Sequence, residues 1–168
     1  LGPEAPLVLW TNFLGKEPIR EAAAKRGFAH CLGEFVWAKR SREAAGNEQL
    51  LRVYETALVL SRAAAPPPGP CDRSIPWSAV AGYDDDGEAT RTGNHPHHKP
   101  FGVLEPLLRT YSQVGQLVLD PFGGSGSIAA AAVRLDRRVA TLELVPEWAE
   151  RMSARLGIAL PDRGRNGS

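Results

Sequence analysis

Three glycines follow an acidic residue in the stretch "DPFGGSGS", residues 120–127. The segment "QLVL" before it, with three apolar residues in a row, predicts a strand, and the alanine-rich segment "SIAAAAVRL" at its end predicts a helix. Glycines at the carboxyl end of a strand let a ligand approach the backbone, because no side chain intervenes. Turns of this kind also carry glycines for purely structural reasons, so the residues around the turn must decide whether it binds a ligand.

A second acidic residue ends the next predicted strand, "RVATLEL". Glu143 lies seventeen residues after Gly126 in the sequence. In an open α/β sheet this residue emerges beside the same crevice, where its carboxylate can accept hydrogen bonds from both hydroxyls of a ribose. The two features together predict a nucleoside cofactor.

The glycine spacing limits which cofactor this can be. Dinucleotide sites use G-x-G-x-x-G and triphosphate sites use G-x-x-x-x-G-K-[ST], and the sequence matches neither. Asp120 would repel a pyrophosphate, whereas it suits the ammonium group of S-adenosylmethionine. The histidines at 95, 97 and 98 could form a metal cluster, but no acid or cysteine stands near them in the sequence. We therefore predict no metal site.

The motifs also resemble those of a known family. "DPFGGSGS" resembles the D-P-F-x-G-S-G-T cofactor motif of the DNA amino-methyltransferases, with Ser127 in place of Thr. "HPHHKP", residues 95–100, resembles the H-P-T-Q-K-P motif of that family, and "LELVPEWAERMSARL" resembles the stretch after its ribose-binding acid. This order, with "VWAK" and "YETALVLSR" upstream, resembles the circularly permuted β class. The resemblance extends from about Leu7 to Leu156.

The resemblance implies S-adenosylmethionine as the cofactor and assigns the residues that bind it. The glycine turn would contact the methionine part and the sugar, Glu143 the ribose hydroxyls, and the "HPHHKP" segment the other side of the pocket. His97 and His98 replace the Thr-Gln of the family motif and are expected to face solvent. The full predicted set is His95, Lys99, Asp120, Pro121, Phe122, Gly124, Ser125, Gly126, Ser127, Glu143 and Leu144.

The catalytic tetrapeptide of the family, D-P-P-Y or a variant with Asn or Ser first, does not occur in the 168 residues. In the family it holds the exocyclic amine and stacks on the flipped base. In the permuted class it precedes the strand represented here by "PLVLW". We therefore expect the catalytic motif and the central catalytic strand to belong to an upstream segment, and the catalytic residues are unknown.

The proline-rich segment 63–94 falls where the family places target recognition. Arg73, Trp77, Tyr83 and Arg91 within it are candidate contacts to double-stranded DNA. A plain surface connection is the alternative. The net charge of +1 decides nothing here, because DNA binding depends on where basic residues cluster.

The predicted elements alternate between strands and helices, which indicates an α/β fold. The resemblance specifies a Rossmann-like methyltransferase fold with a mostly parallel sheet in circularly permuted order. Residues 1–62 would form the catalytic-side half, 63–94 a loop or recognition insert, 95–160 the cofactor-binding half and 161–168 a disordered tail. Two distant cysteines, Cys31 and Cys71, and the lack of a long apolar run indicate a cytoplasmic protein.

The predicted function is methyl transfer from S-adenosylmethionine to the exocyclic amine of adenine in duplex DNA, as in restriction–modification, with cytosine as the second choice of base. The alternative is a catalytically inactive or split subunit that keeps the cofactor pocket and acts with a partner chain. A homodimer is also compatible with the sequence.

Overall fold

The computed structural model describes residues 2, 4–43, 52–64, 79–81 and 95–159. The chain forms two compact units. The first comprises Leu1–Asp84 and Arg109–Ser112, and the second comprises Asp85–Leu108 and Gln113–Ser168. The functional division of the chain into catalytic-side and cofactor-binding halves stays a prediction.

The first unit contains a four-stranded sheet and a helix. Its elements are β1 (Leu7–Thr11), a short 3-10 helix (Phe13–Gly15), α1 (Lys16–Ala24), β2 (His30–Glu43), β3 (Arg52–Ser61) and β4 (Ala79–Ala81). The strand order is β1-β3-β2-β4. β3 pairs antiparallel with both β1 and β2, and β2 pairs parallel with β4. β3 therefore lies between β1 and β2 in the sheet.

Two details of the first unit differ from the sequence expectation. Its strand pairs are mixed rather than mostly parallel, because β1, β3 and β2 meander antiparallel before β4 joins. The segment 63–94, expected to be a loop or a recognition insert, contributes β4, whose three small apolar residues pair with β2. Most of that segment lies outside the described residues.

Helix α1 has residues near both ends that favour its boundaries. Glu17 lies in its first turn, where a carboxylate favours the helix dipole, and Gly27 follows the helix with a φ of +88°. The helix buries Ala23 in an apolar cluster on the sheet. The other members of this cluster are Leu58, Leu60, Leu7, Leu9, Ile19 and Phe28.

The second unit is built around a parallel strand pair. Its elements are α2 (Phe101–Tyr111), whose last residues belong to the first unit, β5 (Leu117–Asp120), α3 (Ser127–Arg134), β6 (Arg138–Thr141) and α4 (Pro146–Leu156). β5 and β6 pair in register from Leu117 with Arg138 to Asp120 with Thr141. The predicted strand, turn, helix and strand are confirmed.

Small residues let α3 pack closely in this unit. Ala129, Ala131 and Ala132 are almost fully buried, and the guanidinium of Arg134 lies 3.9 Å from the ring centre of Phe101. In the described part of the chain, no helix has the length and apolar character needed to cross a membrane.

Candidate cofactor-binding site

The glycine turn links the end of β5 to the start of α3. The N–H of Gly123 donates to the Leu142 carbonyl (2.7 Å), and the N–H of Gly126 donates back to the Gly123 carbonyl (2.8 Å). Gly124 and Gly126 have φ values of +52° and +72°, a region that side chains disfavour. The turn therefore wraps tightly beside the first residues after β6.

The Glu143 carboxylate, which follows β6, is hydrogen-bonded to the backbone of the glycine turn. Its Oε2 accepts the N–H of Gly124 (2.7 Å), and its Oε1 accepts the N–H of Val145 (2.8 Å). These bonds, with that of Val145 the largest contribution, hold the pKa of Glu143 below its usual value. The carboxylate is thus ionised and fixed in orientation, and each oxygen keeps a lone pair for a further donor.

Asp120, at the end of β5, is buried, with only 6% of its surface exposed. Its Oδ1 accepts the N–H of Phe122 (3.2 Å), but its buried Oδ2 has no hydrogen-bond partner among the described residues. Burial raises the pKa of Asp120, and the nearby Glu143 carboxylate acts in the same direction. A buried acceptor without a donor is costly, and a cationic ligand would relieve that cost.

His95 lies against the turn at Gly124. A Cβ atom at Gly124 would approach Cε1 of His95 to 2.9 Å, so the glycine allows this contact. The His95 ring also packs edge-on against Trp148 of α4, with centroids 4.5 Å apart. Burial, followed by the charge of His97, lowers the pKa of His95, so the ring is neutral near pH 7.

The expectation that His97 and His98 face solvent is correct for His97 and wrong for His98. His98 is buried, and its Nδ1 is hydrogen-bonded to Oγ of Ser125 (3.1 Å). The bond satisfies a polar ring atom, which makes its burial tolerable. Lys99 is also buried, and its Nζ donates to the His97 carbonyl (3.0 Å).

Two apolar side chains close in sequence to Asp120 and Glu143 are exposed to solvent. Phe122 is 84% exposed and Leu144 is 93% exposed. They follow closely on the ends of the paired strands β5 and β6, on the same side of the sheet edge as the turn. Single exposed apolar residues are common on proteins. Here the two exposed side chains lie close in sequence to Asp120 and Glu143.

All eleven residues of the predicted site lie in the second unit, while the four candidate DNA contacts lie outside the described residues.

The sequence did not single out three α4 residues that contact the site. Trp148 packs on His95, Met152 lies beside Gly126, and Arg155 donates to the Ser125 carbonyl (3.1 Å). Their helical spacing along α4 was the available signal. The described residues contain no cluster of His, Cys, Asp and Glu able to hold a metal.

Comparison with known proteins extends these observations. Residues 32–154 match the N6/N4 DNA methylase family. The type II methyltransferase M2.MboI of Moraxella bovis is 41% identical over 58 residues, which are 34% of this chain and 21% of that protein. Alignments with the first curated relatives span at most 24% of their length.

Solved structures match nearly the whole chain. The M1.HpyAVI–SAM complex has a TM-score of 0.80 at 19% identity, covering 94% of this chain and 77% of that one. The PvuII DNA methyltransferase, described as cytosine-N4-specific, has a TM-score of 0.73 at 19% identity, covering 97% and 66%. The Rossmann-like fold predicted from the sequence is confirmed by these likenesses.

Proposed function

Because the chain belongs to the N6/N4 DNA methylase family, we propose that it binds S-adenosylmethionine at the glycine turn and methylates the exocyclic amine of adenine in duplex DNA. Cytosine is the second candidate base, since one structural relative is described as specific for cytosine N4. The cofactor is supported by the family and by the relative solved as a SAM complex. A relative named as a type II methyltransferase supports a role in restriction–modification.

The observation that carries this proposal is the state of Asp120. Its Oδ2 is buried without a hydrogen-bond partner in the described part of the chain, at the end of a strand that leads into the glycine turn. An ammonium group would supply both the missing donor and the compensating charge. The residues present therefore fit the amino acid part of S-adenosylmethionine.

Glu143 fits the ribose of the same molecule. Backbone N–H groups hold its carboxylate in place and keep it ionised, so no rearrangement is needed before it accepts two hydroxyl donors. Phe122 and Leu144, both highly exposed, suit the apolar faces of the adenine ring. Asp120, Glu143 and the two apolar side chains thus correspond to the amino acid, the ribose and the base of this cofactor.

When bound, S-adenosylmethionine supplies an electrophilic methyl group on a positively charged sulfur. The residues of this chain bind and orient: Asp120 holds a cation, Glu143 fixes a ribose, and the turn excludes side chains from the space between them. Their contribution to the reaction is positioning. The same proposal includes contacts to duplex DNA by Arg73, Trp77, Tyr83 and Arg91. It also includes a cytoplasmic location.

The function is tested with the full-length protein, unmethylated duplex DNA and methyl-tritiated S-adenosylmethionine. We expect label in DNA, recovered as N6-methyladenine after digestion to nucleosides. Label recovered as N4-methylcytosine would show that the target base is cytosine rather than adenine. Cofactor binding without transfer would favour the alternative, a non-catalytic subunit, and a protein that binds no cofactor would overturn the proposal.

Replacing Glu143 by Gln should weaken S-adenosylmethionine binding by about 1–3 kcal/mol, or roughly 5- to 150-fold. A carboxylate offers an acceptor to both Gly124 and Val145, whereas an amide offers one oxygen and turns its NH₂ toward the other N–H. Titration calorimetry measures the loss.

The matched control for this substitution is Glu147→Gln. Glu147 makes an exposed ion pair with Arg151 on α4, which contributes little to stability. The affinity of the Glu147→Gln variant for the cofactor should equal that of the unaltered protein. If Glu143→Gln also bound normally, Glu143 would not hold the ribose.

A further inference from the structure

Ser125 is the only residue of the segment 123–126 that has a side chain. The glycines around it cannot be replaced freely, since a Cβ atom would lie 2.6 Å from Met152 Sδ at Gly123 and 2.9 Å from the His95 ring at Gly124. Glycine also leaves the backbone with the greatest conformational freedom in the absence of other restraints. A hydrogen bond between two side chains can therefore hold this segment only at Ser125.

Two partners hold Ser125 from different elements of the second unit. His98, from the segment before α2, is hydrogen-bonded through Nδ1 to the Ser125 Oγ (3.1 Å). Arg155, from α4, donates through Nη1 to the Ser125 carbonyl (3.1 Å). His98 and Ser125 are 7% and 4% exposed, so water competes little for the bond between them.

The position of Ser125 also affects Glu143. Gly124, the residue before Ser125, donates its N–H to the Glu143 Oε2 (2.7 Å). A displacement of Ser125 would shift the neighbouring Gly124, and with it the N–H that donates to the carboxylate. The contacts thus form a continuous series from His98 through Ser125 and Gly124 to Glu143.

We propose that His98 is a positioning residue, which fixes the glycine turn through Ser125 and so keeps Glu143 in the orientation that receives the ribose. This inference rests on the proposed cofactor site and adds to it a residue outside the glycine motif. His98 itself needs no contact with the cofactor. Its effect passes through one hydrogen bond.

The test compares two substitutions of His98 in the full-length protein. The amide of Asn occupies the branch position of Nδ1 and can keep the bond, whereas Leu fills similar space without a polar atom. We expect His98→Leu to weaken S-adenosylmethionine binding about three- to tenfold, the size of a single neutral hydrogen bond, and His98→Asn to bind within about twofold of the unaltered protein. Equal losses in both would overturn the proposal.

A double-mutant cycle with Ser125→Ala establishes the route of the effect. Because Ser125→Ala removes the same bond from its other end, His98→Leu should cost little further affinity in that background. Additive losses would overturn the proposal. Ser125→Ala also provides the readout if His98→Leu does not fold.

Amide hydrogen exchange without cofactor separates this inference from the proposed function. Exchange at Gly124, Ser125 and Gly126 should be faster in His98→Leu and unchanged in His98→Asn. Unchanged exchange in His98→Leu would overturn the inference even if the cofactor binds. Failure of the unaltered protein to bind S-adenosylmethionine would instead overturn the proposed function.

Discussion

Replacing Asp120 by Asn should weaken S-adenosylmethionine binding by about 2–5 kcal/mol, or roughly 30- to 5,000-fold. The substitution keeps the shape of the side chain and the Oδ1 acceptor that receives the Phe122 N–H. It removes the negative charge and places an NH₂ donor where the ligand's ammonium would donate. Two donors then face each other in a buried position. Titration calorimetry near pH 7 measures the loss.

The same substitution should leave the free protein as stable as before, or more stable. A carboxyl whose pKa is raised on folding contributes stability that is fully present below its ordinary value of 3.8 and is lost as the pH rises through the folded value. At neutral pH the charged Asp120 is therefore a cost, which Asn removes. Lower cofactor affinity together with undiminished thermal stability distinguishes a binding role from a structural one.

Asp136→Asn is the matched control. Asp136 is exposed in the same unit and has a φ of +61°, which Asn also tolerates. Cofactor affinity should not change in this variant. If Asp120→Asn bound S-adenosylmethionine as tightly as this control does, the ammonium would not be held by Asp120.

Lowering the pH should also weaken cofactor binding in the unaltered protein. Since the pKa of Asp120 is raised, this carboxyl becomes neutral at a higher pH than an ordinary Asp, and cofactor affinity should fall there. Glu143, whose pKa is lowered, stays ionised in that range. His95 can also take up a proton as the pH falls. The contribution of Asp120 is therefore the part of the loss of cofactor affinity that occurs in the unaltered protein and not in Asp120→Asn.

Much of the second unit was predictable because its signals are local. The apolar run at 117–119, the glycines and the alanines of α3 each favour one conformation by themselves, so the strand, turn and helix follow in order. β4 was missed because three small residues within a proline-rich segment carry too little local preference. Its pairing depends on the partner β2.

The site was predictable where a motif fixes the residue type and not where a contact joins distant segments. The glycine spacing and Glu143 indicated a nucleoside cofactor. The burial of His98 depends on Ser125, which lies 27 residues away, and no periodicity predicts that bond. The unsatisfied Oδ2 of Asp120 is likewise a consequence of three-dimensional packing.

Replacing Gly126 by Val should destabilise the protein by about 2–6 kcal/mol, the sum of backbone strain and overpacking. Gly126 has a φ of +72°, which a β-branched residue adopts only under strain, and a Cβ atom would lie 2.7 Å from Cγ of Met152. The melting midpoint should fall by roughly 5–20 °C. Thermal unfolding followed by circular dichroism measures it.

Gly115→Val separates the two causes. Gly115 has a φ of +78°, but an added Cβ would meet nothing within 4 Å, so this control carries the backbone cost alone. The larger loss at Gly126 then measures the contact with Met152. In a Met152→Ala background, where the side chain that obstructs the Cβ atom is gone, Gly126→Ala should cost less stability than it does alone. Equal costs in the two backgrounds, with equal losses at Gly115 and Gly126, would mean that backbone conformation alone requires glycine at the start of α3.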